Sequence, residues 1–84
     1  HSFAAIIRDY DEVSGMALVE QRNNFALGDE VEILFPAGKN FTQKIEHLYD
    51  EWGCPVESAP HPQQMLRLPL AKPAPPYSIL RKKV

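Results

Sequence analysis

Apolar and polar residues alternate along much of this 84-residue chain. The clearest run covers residues 29–35, in which Val31, Ile33 and Phe35 share one side while two glutamates and Leu34 occupy the other. A period of two is typical of a strand that buries one face. Gly28, just before the run, indicates a turn, because glycine adopts a positive φ without steric cost.

Shorter runs of the same kind recur at intervals of roughly ten residues, with turn signals between them. The first is expected at residues 2–10, with Phe3, Ala5 and Ile7 on one face. Together the runs predict an all-β domain of six or seven short strands, a sandwich or a small closed or partly open β-barrel. The other expected strands lie at residues 16–22, 54–58, 64–68 and 77–82.

Residues 41–49 fit two periodicities. A helix would bring Phe41, Ile45 and Leu48 together behind Asn40 as the N-cap. A strand would instead place the odd-numbered positions on one face. We favour the strand, because the neighbouring segments are all strands and the segment is short for a stable helix.

Length and composition fit one ordinary globular domain. A chain of 84 residues that is 44% hydrophobic and 24% charged can fold alone with a modest margin. No run approaches the roughly 20 apolar residues that span a bilayer, so we expect no membrane association. The single cysteine fits a reducing cytosol, so we expect a cytoplasmic location, with a secreted parent as the alternative. The chain opens without methionine, and we interpret residues 1–84 as one domain of a larger protein.

Charge is distributed unevenly along the chain. Residues 1–60 contain four basic and eleven acidic residues, a net charge of −7, whereas residues 61–84 contain five basic residues and no acid. Basic side chains beside an aromatic ring are typical of RNA contacts, although a solvated tail is the alternative. The candidate binding residues, expected to form a basic strip beside the tyrosine, are Arg67, Lys72, Tyr77, Arg81, Lys82 and Lys83.

Residue types that catalyse reactions or bind metals are present, but their spacing does not indicate a site. Cys54 lies seven residues from His47 and from His61, unlike the close ligand pairs of zinc motifs. We interpret this single cysteine as a small buried hydrophobic residue. Trp52, in a turn, is expected to cover one barrel end, with an exposed contact as the alternative. We expect no catalytic residue, metal or cofactor.

The segment from Val19 to Ile33 carries a distinctive pattern, Glu-Gln-Arg-Asn followed by Gly-Asp-x-Val-Glu-Ile. Matching segments continue at residues 36–38, 50–53, 59–64 and 79–82. Together they resemble the C-terminal domain of the collagenase-like peptidase family U32 over nearly the whole chain. The motif residues to which the resemblance gives a structural role are Glu20, Gln21, Arg22, Asn23, Gly28, Asp29 and Glu32.

The resemblance implies a bacterial or archaeal parent with an N-terminal catalytic domain, and a β-barrel like the second domain of elongation factor Tu. Some family members are described as peptidases, and others hydroxylate wobble uridine in tRNA. Their catalytic and cluster-binding cysteines belong to the N-terminal domain, so Cys54 inherits no role. The expected function is that of a non-catalytic accessory domain, which packs on the catalytic domain or helps bind a protein or tRNA substrate. The alternative is a tRNA-binding module.

Overall fold

A computed structural model describes residues 2–59, 61 and 63–83 of the chain, and these residues form seven strands. The strands are β1 (Ser2–Asp11), β2 (Met16–Gln21), β3 (Glu30–Leu34), β4 (Asn40–Lys44), β5 (Tyr49–Asp50), β6 (Met65–Pro69) and β7 (Ile79–Lys82). All neighbouring strands are antiparallel and form one sheet in the order β4-β3-β7-β1-β2-β6-β5. The all-β prediction is confirmed.

The sheet curls around a single core whose residues follow the alternation of the strands. Ala17, Val19 and Gln21 of β2 are buried, as are Val31 and Ile33 of β3. Burying each valine or isoleucine side chain contributes about 1.5–3 kcal/mol. A slip of one residue would turn these side chains to solvent, so the alternation fixes the register.

The start of β1 departs from simple alternation. The expectation that Phe3 shares the inner face with Ala5 and Ile7 is wrong: Phe3 is 41% exposed, whereas Ala4 and Ala5 are both fully buried. The pairing with β7 shifts between Phe3 and Ala5, which identifies a β-bulge at Ala4. The Ala4 carbonyl instead accepts hydrogen bonds from the two backbone N–H groups that follow β2, at 2.7 and 3.1 Å.

Residues 41–44 lie in β4 and Tyr49 lies in β5, with no helix between them, so the strand interpretation is confirmed for the two ends of the segment, whereas residues 45–48 belong to neither strand. Between these strands, Ile45 and Leu48 are buried. The Ile45 N–H donates to the Asp29 carbonyl, and the Ile45 carbonyl accepts from the Gly28 N–H, both at 2.8 Å. Gly28 has a φ of 91°, as its turn requires.

The strand expected at residues 54–58 is wrong as a continuous element. Only isolated bridges form there, between Pro55 and Tyr49 and between Ser58 and Ala26. Pro55 lacks an N–H group and therefore cannot continue a ladder.

The sheet is not closed by hydrogen-bonded strand pairing within the described residues, and β4 and β5 lie at its two ends. The side chain of Gln43 in β4 bridges this opening. Its Nε2 donates to the Pro69 carbonyl at 2.9 Å, and its Oε1 accepts from the Ala71 N–H at 2.8 Å. The domain is therefore a partly open barrel in which one side chain spans the gap.

Candidate functional site

The structure separates the predicted binding residues. Arg67 lies in β6, and Lys72 follows that strand, whereas Arg81 and Lys83 lie in β7 and directly after it. Two other strands, β1 and β2, separate β6 from β7 in the sheet. Tyr77 lies before β7, at the opposite end of that strand from Lys83. The six residues therefore do not form one continuous strip.

The cations at the end of β7 are each paired with a carboxylate in or beside β3. Successive strand residues point to opposite faces, so Arg81 and Lys82 also face different sides of the sheet. These ion pairs neutralise the charge that the segment would offer to phosphate. The pairs are Arg81–Glu32, Lys82–Asp29 (3.2 Å) and Lys83–Glu30 (3.0 Å). A binding role for the three cations stays a prediction.

Three exposed lysines make no ion pair among the described residues, and only one of them belonged to the predicted set. They are Lys39, Lys44 and Lys72, here called the β4-edge lysines. The Lys72 ammonium lies 5.9 Å from the centre of the Phe41 ring. Lys44 lines a cleft of about 340 Å³ together with Gln43 and the segment 69–71. Sequence reasoning missed Lys39 and Lys44 because they belong to residues 1–60, whose overall charge is −7.

Glu20 and Gln21, two of the motif residues, lie on opposite faces of β2. The Glu20 carboxylate forms ion pairs with the guanidinium groups of Arg8 and Arg22, with N–O distances of 2.8 and 3.8 Å. The side chain of Gln21 is buried, and its Nε2 donates to the His61 carbonyl at 3.0 Å. Both residues therefore tie β2 to neighbouring segments of the chain.

Other motif residues hold the link between β2 and β3. Asn23 Nδ2 donates to the carbonyl of Phe3 at 2.6 Å, beside the bulge in β1. Asp29 Oδ2 accepts from the Ala26 N–H at 2.8 Å. Together with the positive φ of Gly28, these bonds fix the path of the link.

Trp52 and Cys54 are both exposed, so the interpretation of one as a barrel cover and the other as a buried residue is wrong. Both belong to a tight turn that projects from β5. Asp50 Oδ1 accepts the backbone N–H groups of both residues, each at 2.9 Å, and Gly53 has a φ of 88°. Asp50 thus closes the turn, and Trp52 remains 80% exposed.

Apolar side chains that are not fully buried cross the outer face of the sheet. Leu34 of β3 lies opposite Ile79 of β7, which in turn lies opposite Ile6 of β1. Phe3 lies on the same face, opposite Arg81. These four apolar residues, Phe3, Ile6, Leu34 and Ile79, are called the outer row below. Sequence reasoning missed it because the bulge at Ala4, which turns Phe3 outward, depends on pairing with β7.

Residues 2–59, 61 and 63–83 contain no group of three or more His, Cys, Asp or Glu side chains arranged to hold a metal ion. In the same ranges, no helix is long and apolar enough to cross a membrane.

The sequence profile of the peptidase family U32 C-terminal domain matches residues 1–81. This chain belongs to that family. The U32 domain is also 39% identical over 82 residues to tRNA hydroxylation protein P1 of Bacillus subtilis (strain 168), a match that covers 98% of this chain. It covers 19% of that protein, so the domain spans about a fifth of its relative's length.

Two crystal structures of the C-terminal domain of a Geobacillus thermoleovorans protein named as a U32 peptidase share the fold. The selenomethionine variant is 43% identical, with a TM-score of 0.93, and the match covers 98% of this chain and 100% of the other. The second is 42% identical, with a TM-score of 0.92, and covers 99% and 93%. The barrel-like fold of this U32 domain is thus confirmed, and the equivalent domain crystallises by itself.

Proposed function

We propose that this U32 domain is a non-catalytic accessory domain of a larger tRNA-modifying protein, and that its outer row packs against the rest of that protein. The relative that is 39% identical is named a tRNA hydroxylation protein, which supports the parent's activity. Four fifths of that relative lie outside the match, and those residues supply the surface to be contacted.

The outer row is the observation that carries this proposal. Phe3 is 41% exposed, and Ile6, Leu34 and Ile79 are only partly buried, although they lie on adjacent strands in the middle of the sheet. An apolar strip with a polar rim is typical of a protein interface. Here the rim consists of the ion pairs Arg81–Glu32 and Arg8–Glu20.

The test compares the isolated domain with the full-length parent protein by differential scanning calorimetry. Phe3→Ser should lower the unfolding temperature of the isolated domain only modestly, because Phe3 is already 41% exposed there. In the full-length protein it should lower the temperature at which the domain unfolds by a larger amount. Val13→Ser is the matched control, since Val13 is 97% exposed in the turn between β1 and β2. If both variants behave alike in the full-length protein, the outer row is not the interface.

A second candidate function is contact with the tRNA substrate, and the β4-edge lysines favour it. They are exposed cations without ion pairs among the described residues, and Lys44 lines the cleft at this edge. Phosphate groups bind such cations with strong salt dependence. Under this second hypothesis, RNA contacts the β4-edge lysines and not the paired cations of β7.

A further inference from the structure

Trp52 is a large apolar side chain that the fold leaves in water. It is 80% exposed, whereas tryptophan is usually mostly buried. Such a ring can bury about 150–250 Å² of surface, so leaving it exposed forgoes a substantial contribution to the stability of the domain. Exposed tryptophans of this kind are enriched among the residues that dominate the energy of binding interfaces.

The backbone that carries Trp52 is held rigidly. Asp50 Oδ1 accepts the N–H groups of Trp52 and Cys54, and the Asp50 main chain bonds to Gly53 N–H at 3.0 Å and to the Cys54 carbonyl at 2.8 Å. From β6, Arg67 Nε donates to the carbonyl of Glu51 at 3.0 Å. The turn is therefore preorganised, and a ligand that binds the indole has little backbone entropy to overcome.

The residues around Trp52 form a hairpin. The Val56 N–H donates to the Leu48 carbonyl at 2.9 Å, and Tyr49 bridges to Pro55, so that Trp52 lies at the tip. We call residues 46–58 the Trp52 hairpin. Beside it lies a cleft of about 190 Å³, whose walls include Leu27, Tyr49 and Val56.

The Trp52 hairpin is acidic. Residues 45–66 contain four carboxylates and no lysine or arginine, while Arg67 of β6, which donates to the Glu51 carbonyl, adds one positive charge beside them. Asp50 is used by the turn, but Glu46, Glu51 and Glu57 are exposed and make no ion pair among the described residues. Glu46 also lines the cleft. A phosphate backbone would be repelled by these charges, whereas a cationic polypeptide would be attracted.

We propose that the Trp52 hairpin binds a cationic polypeptide segment. A lysine or arginine side chain of the partner stacks on the indole, since tryptophan is the best aromatic partner for a cation. Neighbouring basic residues of the segment pair with Glu46, Glu51 and Glu57. This surface lies at the β5 end of the sheet, apart from the outer row, and of its carboxylates only Glu46 reaches the cleft that Lys44 also lines. The proposal goes beyond the proposed function.

The chain contains a single tryptophan, so its intrinsic fluorescence reports on the Trp52 environment directly. The domain is titrated with an oligolysine peptide at low salt, with oligoglutamate and bulk tRNA as parallel probes. We expect a saturable emission change with oligolysine alone. Calorimetric titration of Trp52→Ala should show affinity reduced roughly three- to thirtyfold, the range expected for a cation–π contact.

The carboxylates are tested with a charge-matched control. The double variant Glu51→Gln/Glu57→Gln should weaken oligolysine binding. The control variant Glu12→Gln/Glu30→Gln removes the same charge elsewhere and should leave the affinity nearly unchanged. Equal affinity of Trp52→Ala and the unchanged domain would overturn the proposal. So would equal losses in the two charge variants. An emission change with tRNA but not with oligolysine would also overturn it and would assign Trp52 to base stacking.

Discussion

Gln43 joins β4 to Ala71 through a side-chain hydrogen bond across the open side of the barrel. Its Oε1 accepts from the Ala71 N–H at 2.8 Å while its Nε2 donates to the Pro69 carbonyl at 2.9 Å. One primary amide thus supplies the acceptor and the donor that the main chain of a neighbouring strand would supply. Gln43 thereby holds β4 to the last residue of β6 and to the segment directly after it.

We expect Gln43→Ala to lower the free energy of unfolding by about 1–3 kcal/mol, because two hydrogen bonds are lost. Urea denaturation of the isolated domain measures this difference. Thr42→Ala is the control for strand propensity, since Thr42 is the adjacent exposed residue of β4. Equal effects of the two substitutions would show that the bridge contributes nothing to stability.

Replacing Tyr77 with glycine should stabilise the domain. Tyr77 has a φ of 70° and is 68% exposed, so it adopts a left-handed backbone without burying its ring. Glycine adopts a positive φ without the steric cost that tyrosine incurs, but it also adds conformational entropy to the unfolded chain. The free energy of unfolding should therefore rise by about 0.5–1 kcal/mol. Thermal denaturation measures the gain, and Tyr77→Ala, which retains a Cβ, should not show it. A loss of stability in Tyr77→Gly would mean that the ring makes a stabilising contact.

The turn between β1 and β2 should lose stability in acid. The Val13 N–H, followed by the Ser14 hydroxyl, lowers the pKa of Asp11 below its ordinary value of 3.8. The stability that this charged carboxylate contributes is present above its unfolded-state pKa and is lost as the pH falls through the folded-state pKa. Asp11→Asn should therefore be less stable than the unchanged domain at neutral pH, and the gap should close well below pH 3.8. Urea denaturation over this range would contradict the account if the gap stayed constant.

The β4-edge lysines should bind RNA more strongly than the cations of β7. The binding constant of tRNA should fall less steeply with salt once all three are replaced by glutamine. On single strands each phosphate contact contributes roughly 0.7 log units of affinity per decade of salt, so the slope should decrease by about 2. The matched control replaces Arg81, Lys82 and Lys83, whose charges are already paired with carboxylates. Fluorescence anisotropy with labelled tRNA compares the two variants. A larger loss in the β7 variant would return the RNA site to the strip predicted from the sequence.

Local signals made much of the fold predictable. The alternation of Val31 and Ile33 and the turn at Gly28 depend on neighbouring residues, and the structure has β3 and its turn where they predict them. The bulge at Ala4 could not be predicted, because either alanine suits a buried face. Pairing with β7, about 75 residues further along the chain, decides which way Phe3 points.

The candidate sites were harder to predict, for similar reasons. Composition reveals an excess of basic residues near the end of the chain, but not that Arg81 meets Glu32, 49 residues away in sequence. Tryptophan has a general preference for burial, but the turn that Asp50 closes with two hydrogen bonds projects from β5 and leaves Trp52 exposed. In both cases a specific contact outweighed an average tendency.

The position of β7 between β3 and β1 has a consequence for how the domain is made. Without β7, the pair β4-β3 and the group β1-β2-β6-β5 share no strand pairing. A nascent chain therefore carries two pieces of sheet that no strand pairing of the described residues connects until residues 79–82 have left the ribosome. Because the sheet depends on contacts between distant residues, we expect the domain to fold late and slowly. A chain truncated before Ile79 would keep open strand edges and would be prone to aggregate.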